Sequence, residues 1–302
     1  MVTLDADVVA RYPRASLYNS PYPAHDAGCA VDLYPESDRA PSPVAGEVVE
    51  TRTVRCPSKP YAADNDHLIV VDAGEYVARI LHVDPAVDAG DAVAVGDDLG
   101  RMVRSGFFAP WVANHVHLGF RSHDQDPVRA SGSLPLELDA GVEPVEWDGT
   151  GTVVETGDTY ALLDAPEHPD PGAGSAGVAT DDGAVLDGGF PHYEGGGAIP
   201  TVAGSDGETA ADGSETAADG SETAADDSET AADGGDTVSF LGTTVGDRTD
   251  DRTVAWRDRT VTANGTPIHG LSLWLGVDRL GVKLVAPGHD FAVGDRVTVG
   301  VR

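Results

Sequence analysis

The chain has 302 residues and a formal net charge of −32, from 51 acidic against 19 basic side chains. That balance opposes a preformed basic surface for nucleic acid and opposes docking on anionic membranes. Hydrophobic residues at 40% suffice for a real core, while 37 glycines and 20 prolines favour turns and short strands over long helices.

Lys59 and Lys283 are the only lysines. Scarce lysine, abundant aspartate, and alanine, valine and glycine as apolar filler resemble proteins adapted to concentrated salt. There the Debye length shrinks to ~3 Å and carboxylate repulsion is screened. The acidity therefore reads as solvation of the whole surface rather than as one site for a cation.

Met1 to Tyr12 carries acids and no apolar segment, so no signal peptide is expected there. No stretch approaches the ~18 apolar residues of a membrane span, and the expected location is the cytoplasm. Cys29 and Cys56 are the only cysteines, too few for a disulfide framework. Up to about residue 135, short valine-rich runs alternate with turn signals. Strands are expected near 44–49, 68–71, 76–83, 98–103 and 115–120.

From 136 to 200 two further strands are expected, near 152–155 and 160–164. The chain then passes into Pro-Asp-Pro-Gly-Ala-Gly at 169–174 and a glycine-rich stretch expected to be irregular. Residues 201–236 carry the repeat ETAADGS. Its seven-residue period offers only alanine and threonine as seam residues, so a disordered acidic linker is expected rather than a coiled coil. Strand patterning resumes over 237–302, with Asn264-Gly265 as a hairpin turn. The fold class expected is all-β. A first β-domain occupies 1–135, and a second β-rich domain of 136–200 plus 237–302 carries the acidic repeat as an insertion. Loop-closure entropy grows only logarithmically with length, so such an insertion costs little.

Chemistry concentrates in NHVHLGF at 114–120. On a strand, His115 and His117 share one face, and Val116 and Leu118 the other. A His-Xaa-His pair alone is a weak metal signal. His25 and Asp32 in HDAGCAVD add nitrogen and carboxylate donors of the kind zinc takes. His82 closes ARILHVDP and is a candidate for proton transfer, as is His115.

In order and context these segments resemble the lysostaphin-type zinc metallopeptidases, the LytM or duplicated-hybrid-motif family. The resemblance runs through an early His/Asp pair, SPVAGEVVE at 42–50, ARILHVDP at 78–85, VDAGDAVAVGDDLGRM at 87–102, the turn Arg104-Ser105-Gly106, and HVHLGF. It covers about residues 20–125. It implies a duplicated-hybrid-motif β-barrel or sandwich. It also implies zinc held by His25, Asp32 and His117, with His115 and His82 acting on the scissile carbonyl and on a water activated by the zinc.

The implied activity is hydrolysis of a peptide or cell-surface polymer, with neither nucleic acid nor membrane as partner. The His25–Asp32 step of seven residues is three longer than the family's, with Asp26 as an alternative ligand. The competing reading is a catalytically degenerate β-barrel module that binds a protein or glycan. A carrier domain of similar hairpin topology would need a lysine at the tip near Val87 to Gly90, and none is there. Cys29 reads as a small buried hydrophobe. His67, His123, His168, His192, His269 and His289 show no ligand partners in the sequence.

Overall fold

The computed structural model describes residues 1–139, 141–201 and 237–302. The acidic repeat lies outside these described residues. Among them, α-helix is confined to two four-residue turns, Ala6–Val9 and Pro23–Asp26, and the fold class is all-β as expected.

A ten-stranded sheet carries the histidine-bearing strand of the first half. Strand Val116–Arg121 lies at its centre, between Ala30–Tyr34 and Val77–Leu81. Period-two alternation explains this placement. Val116, Leu118 and Phe120 enter one core together with Val31, Leu33, Ala78 and Ile80 from the two neighbouring strands. The opposite face carries the polar site residues beside a smaller apolar cluster of Leu68, Val70, Val77 and Leu81. There His117 pairs in register with Asp32 on one side and Leu81 on the other.

The strand expected over 76–83 is broken. Val77–Leu81 stays in the large sheet, and Val83–Pro85 joins a small sheet with Arg39–Pro41 and Asp98–Met102. His82 stands at the break with φ 70°, a left-handed conformation that non-glycine residues seldom adopt. A sequence-level reading of apolar alternation cannot register a one-residue kink of this kind.

The glycine-rich stretch expected to be irregular instead forms buried strands Ser175–Val178, Val185–Phe190 and Gly195–Ile199. Close packing explains the composition. A Cβ at Gly196 would lie 2.2 Å from the Trp256 ring, and one at Gly197 would lie 2.5 Å from the Tyr18 ring. The Asn264-Gly265 hairpin forms as expected between Val261–Ala263 and Thr266–Pro267.

A second apolar core, which includes Val153, Phe190, Phe240 and Leu284, sits between the strands of residues 147–299. The two halves are stitched together. Strand Leu275–Gly276 inserts beside Arg14–Ser16 and so extends the first sheet with residues of the second half. Buried Asp187 accepts hydrogen bonds from Ser16 Oγ and from the Leu17 amide, both at 2.6 Å. No helix among the described residues is long and apolar enough to cross a membrane.

Candidate metal centre

His25 comes from a single helical turn, His117 and Asp32 from paired strands. Pro23 opens the turn, where its missing N–H costs no hydrogen bond. The Cys29 amide closes it on the Ala24 carbonyl at 2.7 Å, and Gly28 takes φ +59°. The closed turn takes up much of the seven-residue step between His25 and Asp32. His25 Nε2 consequently returns to 3.3 Å from Asp32 Oδ1. Asp26 is exposed and takes no part.

Three donor atoms converge. His117 Nδ1 lies 3.0 Å from Asp32 Oδ1 and 3.1 Å from His25 Nε2. Among the described residues, His25, Asp32 and His117 form the group whose donors all lie within 4.8 Å of one another. Tetrahedral zinc with bonds of ~2.0–2.1 Å requires ligand–ligand edges of about 3.3 Å. The observed triangle of 3.0, 3.1 and 3.3 Å is close to that figure.

The donor chemistry fits as well. His25 Nδ1 lies 2.6 Å from the Leu17 carbonyl, which can only accept. The ring proton therefore sits on Nδ1 and the Nε2 lone pair faces Asp32, the usual way an outer hydrogen bond fixes the tautomer of a ligating histidine. Burial raises the Asp32 carboxyl, but the surrounding histidines outweigh it and hold the group well below the carboxylate range. Burial pushes His117 down to about 4 despite its hydrogen bond to Asp32. A neutral imidazole and an ionised carboxylate are the forms that bind a cation. For His25, burial lowers the pKa but Asp32 outweighs it, so the net shift is upward. A metal would compete with that proton.

His115 and His82 flank the triangle. His115 Nδ1 donates to the Ala113 carbonyl at 2.9 Å, and its Nε2 stands 3.4 Å from Asp32 Oδ1. Its ring stacks on Phe108 with centroids 4.4 Å apart. Burial, opposed by Asp32, pushes it down to about 3. The His82 ring centroid lies 5.1 Å from that of His115 and 5.7 Å from that of His117.

Three side chains complete the surroundings that the sequence did not single out. Buried Asp66 lies 2.6 Å from His82 Nδ1 and accepts from Ser105 Oγ at 2.6 Å and the His67 amide at 2.7 Å. Burial raises its carboxyl, but these bonds outweigh burial and hold it below the usual range. Tyr193 and Arg79 line the same cavity of about 940 Å³ that opens over His25, Asp32, His82, His115 and His117. Burial pushes the Tyr193 phenol up to about 12 against the neighbouring Trp111 side chain, which lowers it, so it stays protonated. An outlying aspartate beside His67 and an isolated tyrosine in a glycine-rich run carry no sequence signal for such places.

Residues 3–138 match the domain of unknown function DUF8155, N-terminal domain, and residues 143–302 match the DUF8155 C-terminal domain. The chain belongs to the DUF8155 family. His25, Asp32, Asp66, His82, His115 and His117 all fall in the N-terminal DUF8155 domain, and Tyr193 falls in the C-terminal one. No curated protein matches the chain in sequence. Among solved structures, the catalytic domain of the antimicrobial peptidase lysostaphin from Staphylococcus simulans aligns at 20% identity, with a TM-score of 0.27, over 40% of this chain and 89% of that one.

The remaining histidines of this DUF8155 member lie apart from the centre. His67 faces Asp84 at 3.7 Å, and His123 donates toward the Gly74 carbonyl at 3.0 Å. His168 and His289 bond backbone carbonyls of the second half. His192 and His269 stack together beside Trp111. Cys29 and Cys56 are free thiols.

Proposed function

We propose that the chain is a zinc-dependent peptide-bond hydrolase whose metal is held by His25, Asp32 and His117. The observation that supports this most directly is the triangle of donor atoms with edges of 3.0, 3.1 and 3.3 Å. Bound zinc would supply Lewis acidity at a substrate carbonyl and lower the pKa of water toward ~7.

The chain's own residues do the rest. His82 is the better placed to exchange a proton at Nε2, because Asp66 at 2.6 Å from its Nδ1 orients the ring. His115 keeps its Nε2 lone pair directed to the site, since its Nδ1 proton is held by Ala113. Phe108 packs against both rings and shields them from bulk water. A low-dielectric wall of this kind strengthens charge–dipole interactions inside the site. The substrate class is a peptide or a peptide-bearing polymer lying in the cavity.

The test is cleavage of a mixed-sequence peptide pool by zinc-loaded protein, read by mass spectrometry. Cleavage is expected, abolished by a chelator and restored by zinc. Stoichiometric zinc with no cleavage of any peptide would favour the non-catalytic binding module instead.

A further inference from the structure

The sheet face that carries His117 and Asp32 continues past them. Gly119 is the next residue of the central strand on that face, paired with Ala30 on one neighbour and Arg79 on the other. A rise of ~3.4 Å per residue sets the Arg79 level ~7 Å along the floor from His117. Gly119 and Ala30 carry no large side chains, and Ser133, whose Oγ would lie 3.4 Å from a Cβ at Gly119, covers them and lines the cavity above.

Arg79 is 5% exposed, yet it lines the cavity. Its Nε donates to the Pro127 carbonyl. No carboxylate lies within ion-pair distance of it among the described residues. A second guanidinium, of wholly buried Arg121, lies nearby and is spent on the Phe120 and Arg129 carbonyls and Ser133 Oγ. Burial, then the charge of Arg121, lowers Arg79 to about 10, which still leaves it a cation at neutral pH. The charge of Asp126 opposes this shift from beyond ion-pair distance, so the guanidinium has no carboxylate in contact, which is costly unless something anionic meets it.

The wider cavity reverses the charge of the molecule. Asp32 is the sole carboxylate among its lining residues, against Arg79, Lys59 and Arg129, the last with its Nε 3.8 Å from Asp126 just outside the lining. Asp32 is already surrounded by three histidines. In a chain with 51 acidic and 19 basic residues, a cavity of this make-up selects for anions.

We propose that Arg79 anchors a carboxylate of the ligand, so that the cavity takes peptides with an acidic side chain or a free C-terminal carboxylate about two residues from the metal centre. The planar fork of the guanidinium suits a carboxylate. An extended peptide covers ~7 Å in two residues. Only the position of the scissile bond rests on the hydrolase reading. The carboxylate site stands on the placement of Arg79 in the cavity.

Isothermal titration of the full chain with matched peptides tests this, with zinc content measured on the same samples. One pair is acetyl-Gly-Gly-Glu-Gly-amide against its Gln counterpart. The other is acetyl-Gly-Gly-Gly with a free against an amidated C-terminus. At least one acid is expected to bind about tenfold or more tighter than its amide, and which pair responds identifies the source of the carboxylate. Arg79→Gln is expected to abolish the preference and Arg79→Lys to retain part of it, with folding checked by circular dichroism. Equal binding of acid and amide by the wild type, no binding of any of the four, or a folded Arg79→Gln that keeps the preference would overturn the proposal. The wild-type comparison decides the matter even if Arg79→Gln fails to fold. A carboxylate preference in protein that takes up no zinc would leave the anchor standing and remove the hydrolase reading.

Discussion

Asp66 Oδ2 lies 2.6 Å from His82 Nδ1, and the same oxygen accepts from Ser105 Oγ at 2.6 Å. The contact fixes the proton on Nδ1 and leaves Nε2 of His82 as the free ring nitrogen. It also offsets the left-handed backbone that His82 adopts at φ 70°. Asp66→Asn is therefore expected to lower kcat for peptide cleavage by about 10²-fold or more, the range lost when a general acid–base residue is misaligned. Zinc content should stay at the wild-type level, because Asp66 touches none of the three proposed ligands. Parallel assays of kcat and zinc check the split.

Asp187 links pH to stability. Burial raises its carboxyl to about 7, against donors at Ser16 and Leu17 that pull it down. The folded-state value lies above the unfolded one, so the folded protein binds more protons between about pH 4 and 7. The stabilisation is full below pH ~4 and lost as pH rises through ~7, with an upper bound of roughly 4 kcal/mol. Thermal melts of wild type and Asp187→Asn across pH 4–8 should show the wild type losing ground to the variant as pH rises. A constant gap between the two curves would contradict this.

Lys283 acts with the opposite sign in a different window. It is buried, its Nζ donates to the Trp111 carbonyl at 3.0 Å, and burial lowers it to about 7. The folded protein therefore binds fewer protons than the unfolded chain between about pH 7 and 10.5, and stability from this group rises with pH there. Lys283→Met is expected to remove that rise, which denaturant melts at pH 7, 8 and 9 would detect.

Gly196 tests the packing of the second half. Its Cβ position lies 2.2 Å from the Trp256 ring and 3.0 Å from the Asp187 carbonyl. Gly196→Ala is expected to cost about 1–3 kcal/mol through overpacking. Urea midpoints measure this directly. A neutral result would mean that the Trp256 indole moves aside freely.

The sequence made the all-β class and the identity of the converging histidines legible, for reasons that are local. His115 and His117 share a strand face by alternation alone, and the hairpin at Asn264-Gly265 carries its own turn chemistry. The His25–Asp32 spacing looked awkward because spacing along a chain does not reveal a closed turn such as Pro23 to Cys29. Asp66 was hidden because a buried aspartate within the strand Asn65–Asp72 and an exposed turn aspartate share the same letter. Arg79, Tyr193 and the glycine strands depend on contacts between distant segments, to which composition is blind. The expected disorder of the acidic repeat lies outside the described residues.

Zinc stoichiometry decides whether His25, Asp32 and His117 form a metal centre. Purified wild-type chain, equilibrated with zinc and freed of excess, is expected to hold one zinc per chain by elemental analysis. His117→Ala and Asp32→Ala should lose it, while His115→Ala should keep it. Wild-type protein that holds no stoichiometric zinc, or a folded His117→Ala that binds it as tightly as wild type, would contradict the account.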